Sequence, residues 1–234
     1  MRKKISTILK FSIAILSFVA VTMAMIFAEK NGYSHWYKRL YYFTQQSNIW
    51  IGVTCLIVAI LIVVGDKKQK LLVKNHWYIL KYIFTVSITI TGIIFCSVLA
   101  PFADFDIWTF SSVLTHVVVP LLSIVDFFLD DYKIELHKKH IFLNLVPPFV
   151  YFILASILCL CRVDFGLGDP YPYFFMDYYS EVGLFGYISG DVPQIGSFYW
   201  ILIIAGLVLG LGYLYYRLHH STRKRIADLK NQNK

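Results

Sequence analysis

Residues 43–65 read FTQQSNIWIGVTCLIVAILIVVG: five polar residues crowd the first six positions, and the seventeen that follow carry no charge. At 1.5 Å per residue this stretch is roughly 35 Å long as a helix, enough to cross a hydrocarbon core of about 30 Å. It is apolar all round rather than alternating, which fits a helix with all backbone bonds satisfied internally and not a barrel strand. Five more stretches repeat the pattern, so the spans expected are 11–28, 43–65, 78–100, 111–129, 141–161 and 199–216. The fold expected is an all-α polytopic integral membrane protein, with residues 1–234 forming one domain of six transmembrane helices.

Composition agrees. Of the 234 residues 58% are apolar and 15% charged, and the mean hydropathy is +0.61. A soluble domain carries about a quarter charged residues, so a water-soluble globule, a disordered chain and a nucleic-acid module are all excluded. The first span follows Arg2, Lys3 and Lys4 like a signal peptide. It is longer than a typical apolar signal core, and Met25–Ala28 lacks a small-x-small cleavage pattern, so it reads as a retained helix. Cys55, Cys96, Cys159 and Cys161 all lie in apolar runs, which leaves no loop framework of disulfides and no thiolate zinc site in a loop.

Orientation follows from Lys and Arg. With both termini inside, eighteen of the 22 basic residues face the cytoplasm, and only Lys30, Lys38, Arg39 and Arg162 face out. Lys10 and Lys81 count among the inner group, at the span edges. The formal charge of +8 therefore reports an N-in, C-in topology and attraction to anionic inner-leaflet lipid, not nucleic-acid binding. The outer loops are acidic instead, with Asp104, Asp106, Asp164, Asp169, Asp177, Glu181 and Asp191. The last of them, 162–198, holds 37 residues, ten of them Phe or Tyr, a composition suited to the outer headgroup zone as a lid, a re-entrant element or an aromatic belt. The tail after Arg217 is polar and basic, and fraying is expected there.

Polar groups inside spans carry the functional information. Span four contains Ser111, Ser112, Thr115 and His116, followed by Pro120 and, seven residues after the histidine, Ser123. Pro120 has no N–H, so the carbonyl of His116 loses its helical partner and the helix opens at the histidine. Span two begins with Thr44, Gln45, Gln46, Ser47 and Asn48; Thr44, Ser47 and Asn48 share one helix face. Thr44 and His116 differ in depth by only about 6 Å, within the uncertainty of span ends. A hydroxyl nucleophile, an imidazole base, and amide donors from Gln45 or Asn48 for an oxyanion are then the chemistry available. The same residue types also serve as interhelical hydrogen-bond glue, worth about 1 kcal/mol each, and spacing alone does not choose.

Other features read more plainly. Asp126, near the inner end of span four, is expected to snorkel. Asn144 precedes Pro147 and Pro148 in a broken span five that lines a cavity or bends. Gly206 and Gly210 form a small-residue pair suited to packing. His137 and His140, three apart, lack further ligands for a metal.

Three motifs together resemble the androgen-induced protein family, which includes the androgen-dependent TFPI-regulating protein and bacterial relatives. They are Phe-Thr-Gln-Gln-Ser-Asn at 43–48; Leu-Thr-His-Val-Val-Val-Pro at 114–120 with Asp126; and Asp-Pro-Tyr-Pro-Tyr at 169–173 with Phe175, Asp177, Gly186 and Tyr187. The resemblance covers nearly the whole chain. It implies a multi-span membrane hydrolase of fatty acyl esters, such as fatty acid esters of hydroxy fatty acids, using a threonine nucleophile and a histidine partner. Carried over by position, these roles fall on Thr44 and His116. Gln45, Ser47, Asn48, Ser123 and Asn144 are the candidate substrate or oxyanion groups by their polar character within the spans. No metal or organic cofactor is called for; the substrate is a lipid within the membrane. The Lys- and Ile-rich style is bacterial, and a plasma-membrane location is expected. The rival readings are a small transporter or channel with a path through His116 and Asp126, and a non-catalytic scaffold using the aromatic outer loop.

Overall fold

The computed structural model describes residues 2–67, 73–102, 107–130, 136–189 and 194–232. Lys68, Lys70, Asp104, Asp106, Lys133, Asp191 and Lys234 lie outside the described residues. Among the described residues six helices are long and apolar enough to cross a membrane. They are α1 (Arg2–Ile26), α2 (Phe43–Lys67), α3 (Asn75–Leu99), α4 (Phe110–Leu129), α5 (His140–Leu160) and α6 (Ser197–Gln232). The side carrying both termini is called inner below. Beyond Arg217, α6 continues as helix to Gln232; Leu218 to Gln232 includes good helix formers and no Gly or Pro.

The third helix is the hub. It touches α2, α4, α5 and α6, while α1 closes the far side against α2 and α4. Its neighbours bury it more deeply than any other span, and α5 and α6 lean on the bundle with most of their surface outward. Close approach of α1 and α2 uses Gly52, where a Cβ would stand 3.0 Å from Cβ of Ser17. Gly206 and Gly210 do not pack: a Cβ added at either meets nothing within 4 Å. The α6 glycine that does pack is Gly212, which faces Asn144 and Tyr82.

Two helices carry a π turn, Phe95–Leu99 in α3 and Leu114–Val118 in α4. Each ends two residues before a proline, Pro101 and Pro120, whose missing N–H leaves a carbonyl one turn back without its α-helical partner. A widened turn absorbs that mismatch, and such turns are frequent at functional sites. The fifth helix breaks as its prolines dictate: His140–Leu143 is followed by Val146–Leu160, with Pro147 and Pro148 in the first turn of the longer piece.

Asp126 does not snorkel. It is fully buried, with Ser6 Oγ donating to Oδ1 at 2.6 Å, Lys10 Nζ 3.0 Å from Oδ1, and Lys81 Nζ on Oδ2. Asp130 completes the cluster, 3.0 Å from Lys10 and 2.7 Å from Lys81. Lys10 and Lys81 are thus core residues and not members of the inner basic fringe. Two cations and two anions cancel, which is the only form in which four charges are tolerated away from water.

Outside, the segment made of residues 162–189 and 194–198 is folded against the helices. Asp164 anchors its start by accepting from the backbone N–H of Gly166 (2.6 Å) and Gly168 (3.0 Å) and pairing with Lys38. A short turn at Phe174–Met176 and a two-residue antiparallel pairing, Tyr187–Ile188 with Gln194–Ile195, follow.

Candidate functional site

The π turn in α4 decides how His116 is held. Its Nδ1 lies 2.9 Å from the carbonyl of Ser112, with Thr115 Oγ1 at 3.1 Å and Ser112 Oγ at 3.3 Å. A carbonyl only accepts, so Nδ1 carries the proton and donates to Ser112. That choice of tautomer leaves the lone pair of Nε2 facing α2, where Thr44 Oγ1 stands 3.2 Å away. The ring is also clamped flat: Phe95, in the α3 π turn, stacks on it at 3.7 Å between centroids and 11° between planes. On the backbone side the His116 carbonyl rests on Gly92, where a Cβ would fall 2.7 Å from the oxygen. Only glycine lets α3 and α4 approach so closely. Both Thr44 and His116 are buried.

Thr44 is placed by its own helix face. Asn48 donates from Nδ2 to the Thr44 carbonyl (2.8 Å) and to the Thr115 carbonyl (3.2 Å), which ties α2 to the π turn beside His116. Ser47 Oγ contacts the Thr44 carbonyl at 3.1 Å and Thr91 Oγ1 at 2.8 Å, which ties α2 to α3. These two residues therefore position the pair. Asn48 has both amide hydrogens engaged and has none left for an oxyanion. Gln45 is buried beside Thr44 in sequence, and its side-chain carbonyl has no hydrogen-bond partner among the described residues.

Two other candidates stand apart from the pair. Ser123 spends its hydroxyl on the Val119 carbonyl at 2.7 Å. Asn144 donates to Tyr82 Oη and to the Ile141 carbonyl, both at 2.9 Å, while Tyr82 donates to the Gly212 carbonyl at 2.8 Å. This clamp joins the inner ends of α5 and α6 to α3 and supplies no group to Thr44.

Tyr173 enters the site from the outer segment, a residue that polar spacing within spans did not single out. It lines the cavity beside Thr44 and Tyr151, with its ring 6.4 Å from that of Tyr151. Its ring stacks on Phe175 at 5.1 Å and meets Tyr42 edge-on at 5.8 Å. Burial pushes the Tyr173 phenol above its ordinary pKa, so it stays a neutral O–H donor. The density of aromatics in 162–198 and the Asp-Pro-Tyr-Pro-Tyr match at 169–173 had drawn attention to Tyr173 without giving it a role.

Beyond Thr44 opens a cavity of about 270 Å³. Thr44, Tyr151 and Tyr173 form its outer end together with Phe43, Phe175 and Met176. Ile90, Ile94, Leu145, Ile204, Ala205 and Val208 make the rest almost wholly apolar. Among the described residues no group of three His, Cys, Asp or Glu side chains is set to hold a metal.

The fold defines the class: a six-helix polytopic membrane protein with a buried Thr–His contact at one end of an intramembrane apolar cavity. No family model matches the chain, and neither does any curated protein or solved structure.

Proposed function

We propose that the protein is a hydrolase of fatty acyl esters, acting on lipids within a bacterial plasma membrane. One observation carries the reading. Thr44 belongs at once to the hydrogen-bonded contact with His116 and to the wall of the apolar cavity. An ester whose acyl chain fills that cavity brings its carbonyl to the hydroxyl.

In the reaction Thr44 Oγ1 attacks the acyl carbonyl carbon while His116 Nε2 takes its proton. The Tyr173 phenol, which lines the cavity beside Thr44, is the donor proposed for the tetrahedral oxyanion. Collapse breaks the carbon–oxygen bond to the leaving alcohol, which takes the proton from His116. Water then attacks the threonyl ester, His116 removes its proton, and the released acid leaves Thr44 with its hydrogen restored. Nδ1 stays bonded to the Ser112 carbonyl throughout, which steadies the imidazolium. Basic residues on the inner fringe hold the chain against anionic lipid.

The geometry weighs against a path for protons or solutes. His116 and Asp126 are about 15 Å apart along α4 at 1.5 Å per residue. Ile13, Ile51, Ile88 and Val119, all fully buried, pack together around the intervening stretch, and Asp126 is committed to two lysines.

Labelling of the purified full chain with a fluorophosphonate probe tests the proposal. Wild type should label, and Thr44→Ala and His116→Ala should not. A folded wild type that stays unlabelled and hydrolyses no acyl ester overturns it.

A further inference from the structure

The cavity is not a sealed void. Phe149 on α5 lines it and is nevertheless 62% exposed on the outward, lipid-facing side of the bundle. The reason lies in how α5 and α6 are joined. At their inner ends the short His140–Leu143 piece packs on α6, and the Tyr82–Asn144–Gly212 clamp draws both onto α3. Above the break at Pro147 and Pro148 the longer piece of α5 leans on α3, as α6 does separately. The two helices thus diverge from a closed inner end to an open outer half. Across the top lie Phe174 and Phe175 of the outer segment, each about one ring contact from Trp200 on α6 (5.5 and 5.6 Å). Aromatic rings of this kind favour the headgroup level.

We propose that the gap between the outer halves of α5 and α6 is a lateral port, through which one acyl chain of a bilayer amphiphile passes directly from the lipid into the cavity, and that Ala205 sets how deep the chain can reach. The walls of the gap are Pro148, Phe149 and Phe152 on one side and Ile201, Ile204 and Ala205 on the other. None of these offers a side-chain polar group, so a chain already dissolved in hydrocarbon moves across without passing through water. From Ile201 to Val208 the α6 wall is about 10 Å long at 1.5 Å per residue. Ala205 is the smallest side chain along it, and the clamp at Asn144 closes the floor just beyond Leu145. The carbonyl end of the chain lies at Thr44; that orientation rests on the hydrolase reading, whereas the port itself does not.

Two measurements on the full chain separate the claims. A single-chain alkyl ether amphiphile with a terminal diazirine, which contains no ester, is photolysed with protein in lipid nanodiscs and the adducts are mapped. Adducts on the cavity-facing residues of α5 and α6, equal in wild type and Thr44→Ala and lost in Ala205→Trp, support the port whatever the catalytic outcome. Adducts confined to the bundle's outer surface, unchanged by Ala205→Trp, overturn it. In the second, ester hydrolysis is followed from acetyl to palmitoyl chains. Ala205→Phe should lower the ratio of long-chain to short-chain kcat/KM by about tenfold, the effect of excluding two methylenes from apolar burial. Ala205→Gly should move the ratio the other way. An unchanged ratio in both variants overturns the depth assignment, while an absence of hydrolysis in wild type alongside cavity adducts overturns the hydrolase reading alone.

Discussion

Thr44 Oγ1 and His116 Nε2 face each other at 3.2 Å across the α2–α4 boundary, 72 residues apart in the chain, and Asn48 bonds to backbone carbonyls on both sides of the contact. The hydroxyl therefore matters more than the methyl beside it. Thr44→Ser should retain acyl hydrolysis within about tenfold, since it keeps the nucleophile and loses only rotamer restriction. His116→Ala should lower kcat by roughly 10² to 10⁴, the usual yield of a positioned general base. Parallel progress curves on one ester, with thermal unfolding to check the fold, decide both.

Much of this arrangement was legible beforehand. Six runs of about twenty apolar residues predicted six spans, and those in the structure begin and end within a few residues of them except at the charged ends of α1 and α6. Depth alone brought Thr44 and His116 together, and Pro120 announced the disturbance at the histidine. What spacing could not convey was partnership in three dimensions. Lys10, Lys81 and Asp126 sit at span edges, where a one-dimensional reading assigns them to the headgroups; only the packing of α1, α3 and α4 turns them into a neutral buried cluster. Tyr173 lies on a loop whose path depends on Asp164 and on ring packing. Gly206 and Gly210 carry the motif for close packing, yet Gly212, without it, makes the contact.

Tyr173→Phe keeps the ring that stacks on Phe175 and removes the phenol hydroxyl from the cavity lining that Tyr173 shares with Thr44. Loss of one oxyanion donor should reduce kcat by about 10² to 10³ with KM little changed. A rise in KM at constant kcat would instead make the phenol a substrate-binding group.

Gly92→Ala tests whether the α4 π turn holds the histidine in place. A Cβ there would lie 2.7 Å from the His116 carbonyl and 3.4 Å from Pro120. Overpacking of this kind costs about 1–3 kcal/mol, and here the displaced group is the backbone of His116 itself. Activity should fall more steeply than stability; a variant with a lowered unfolding temperature and an unaltered rate would show that the site tolerates the shift.

The inner ion cluster should behave as one unit. Lys81→Met leaves Asp126 and Asp130 with Lys10 alone to offset two buried carboxylates, and breaking a buried pair this way costs about 3–5 kcal/mol. Adding Asp126→Leu removes the surplus charge, so the double variant should be more stable than Lys81→Met. A double-variant cycle in detergent, read by thermal unfolding, checks this; additive losses would mean that the four groups do not share one charge balance.

The outer anchor gives the protein a dependence on pH at acid values. The Lys38 hydrogen bond, with lesser help from the N–H groups of Gly166 and Gly168 and the Ser34 hydroxyl, holds the Asp164 carboxyl well below the usual carboxylate range. A group whose pKa is depressed in the folded state binds protons more readily when the segment detaches. Its contribution is thus complete at neutral pH, begins to fall as pH drops through about 4, where a free Asp titrates, and is lost below the folded value. Protease nicking within 162–189 should rise as pH is lowered through this window in wild type, using an acid-active protease calibrated on an unfolded substrate. Asp164→Asn should nick readily at neutral pH and lose that dependence. Equal acid sensitivity in wild type and Asp164→Asn would place the controlling group elsewhere.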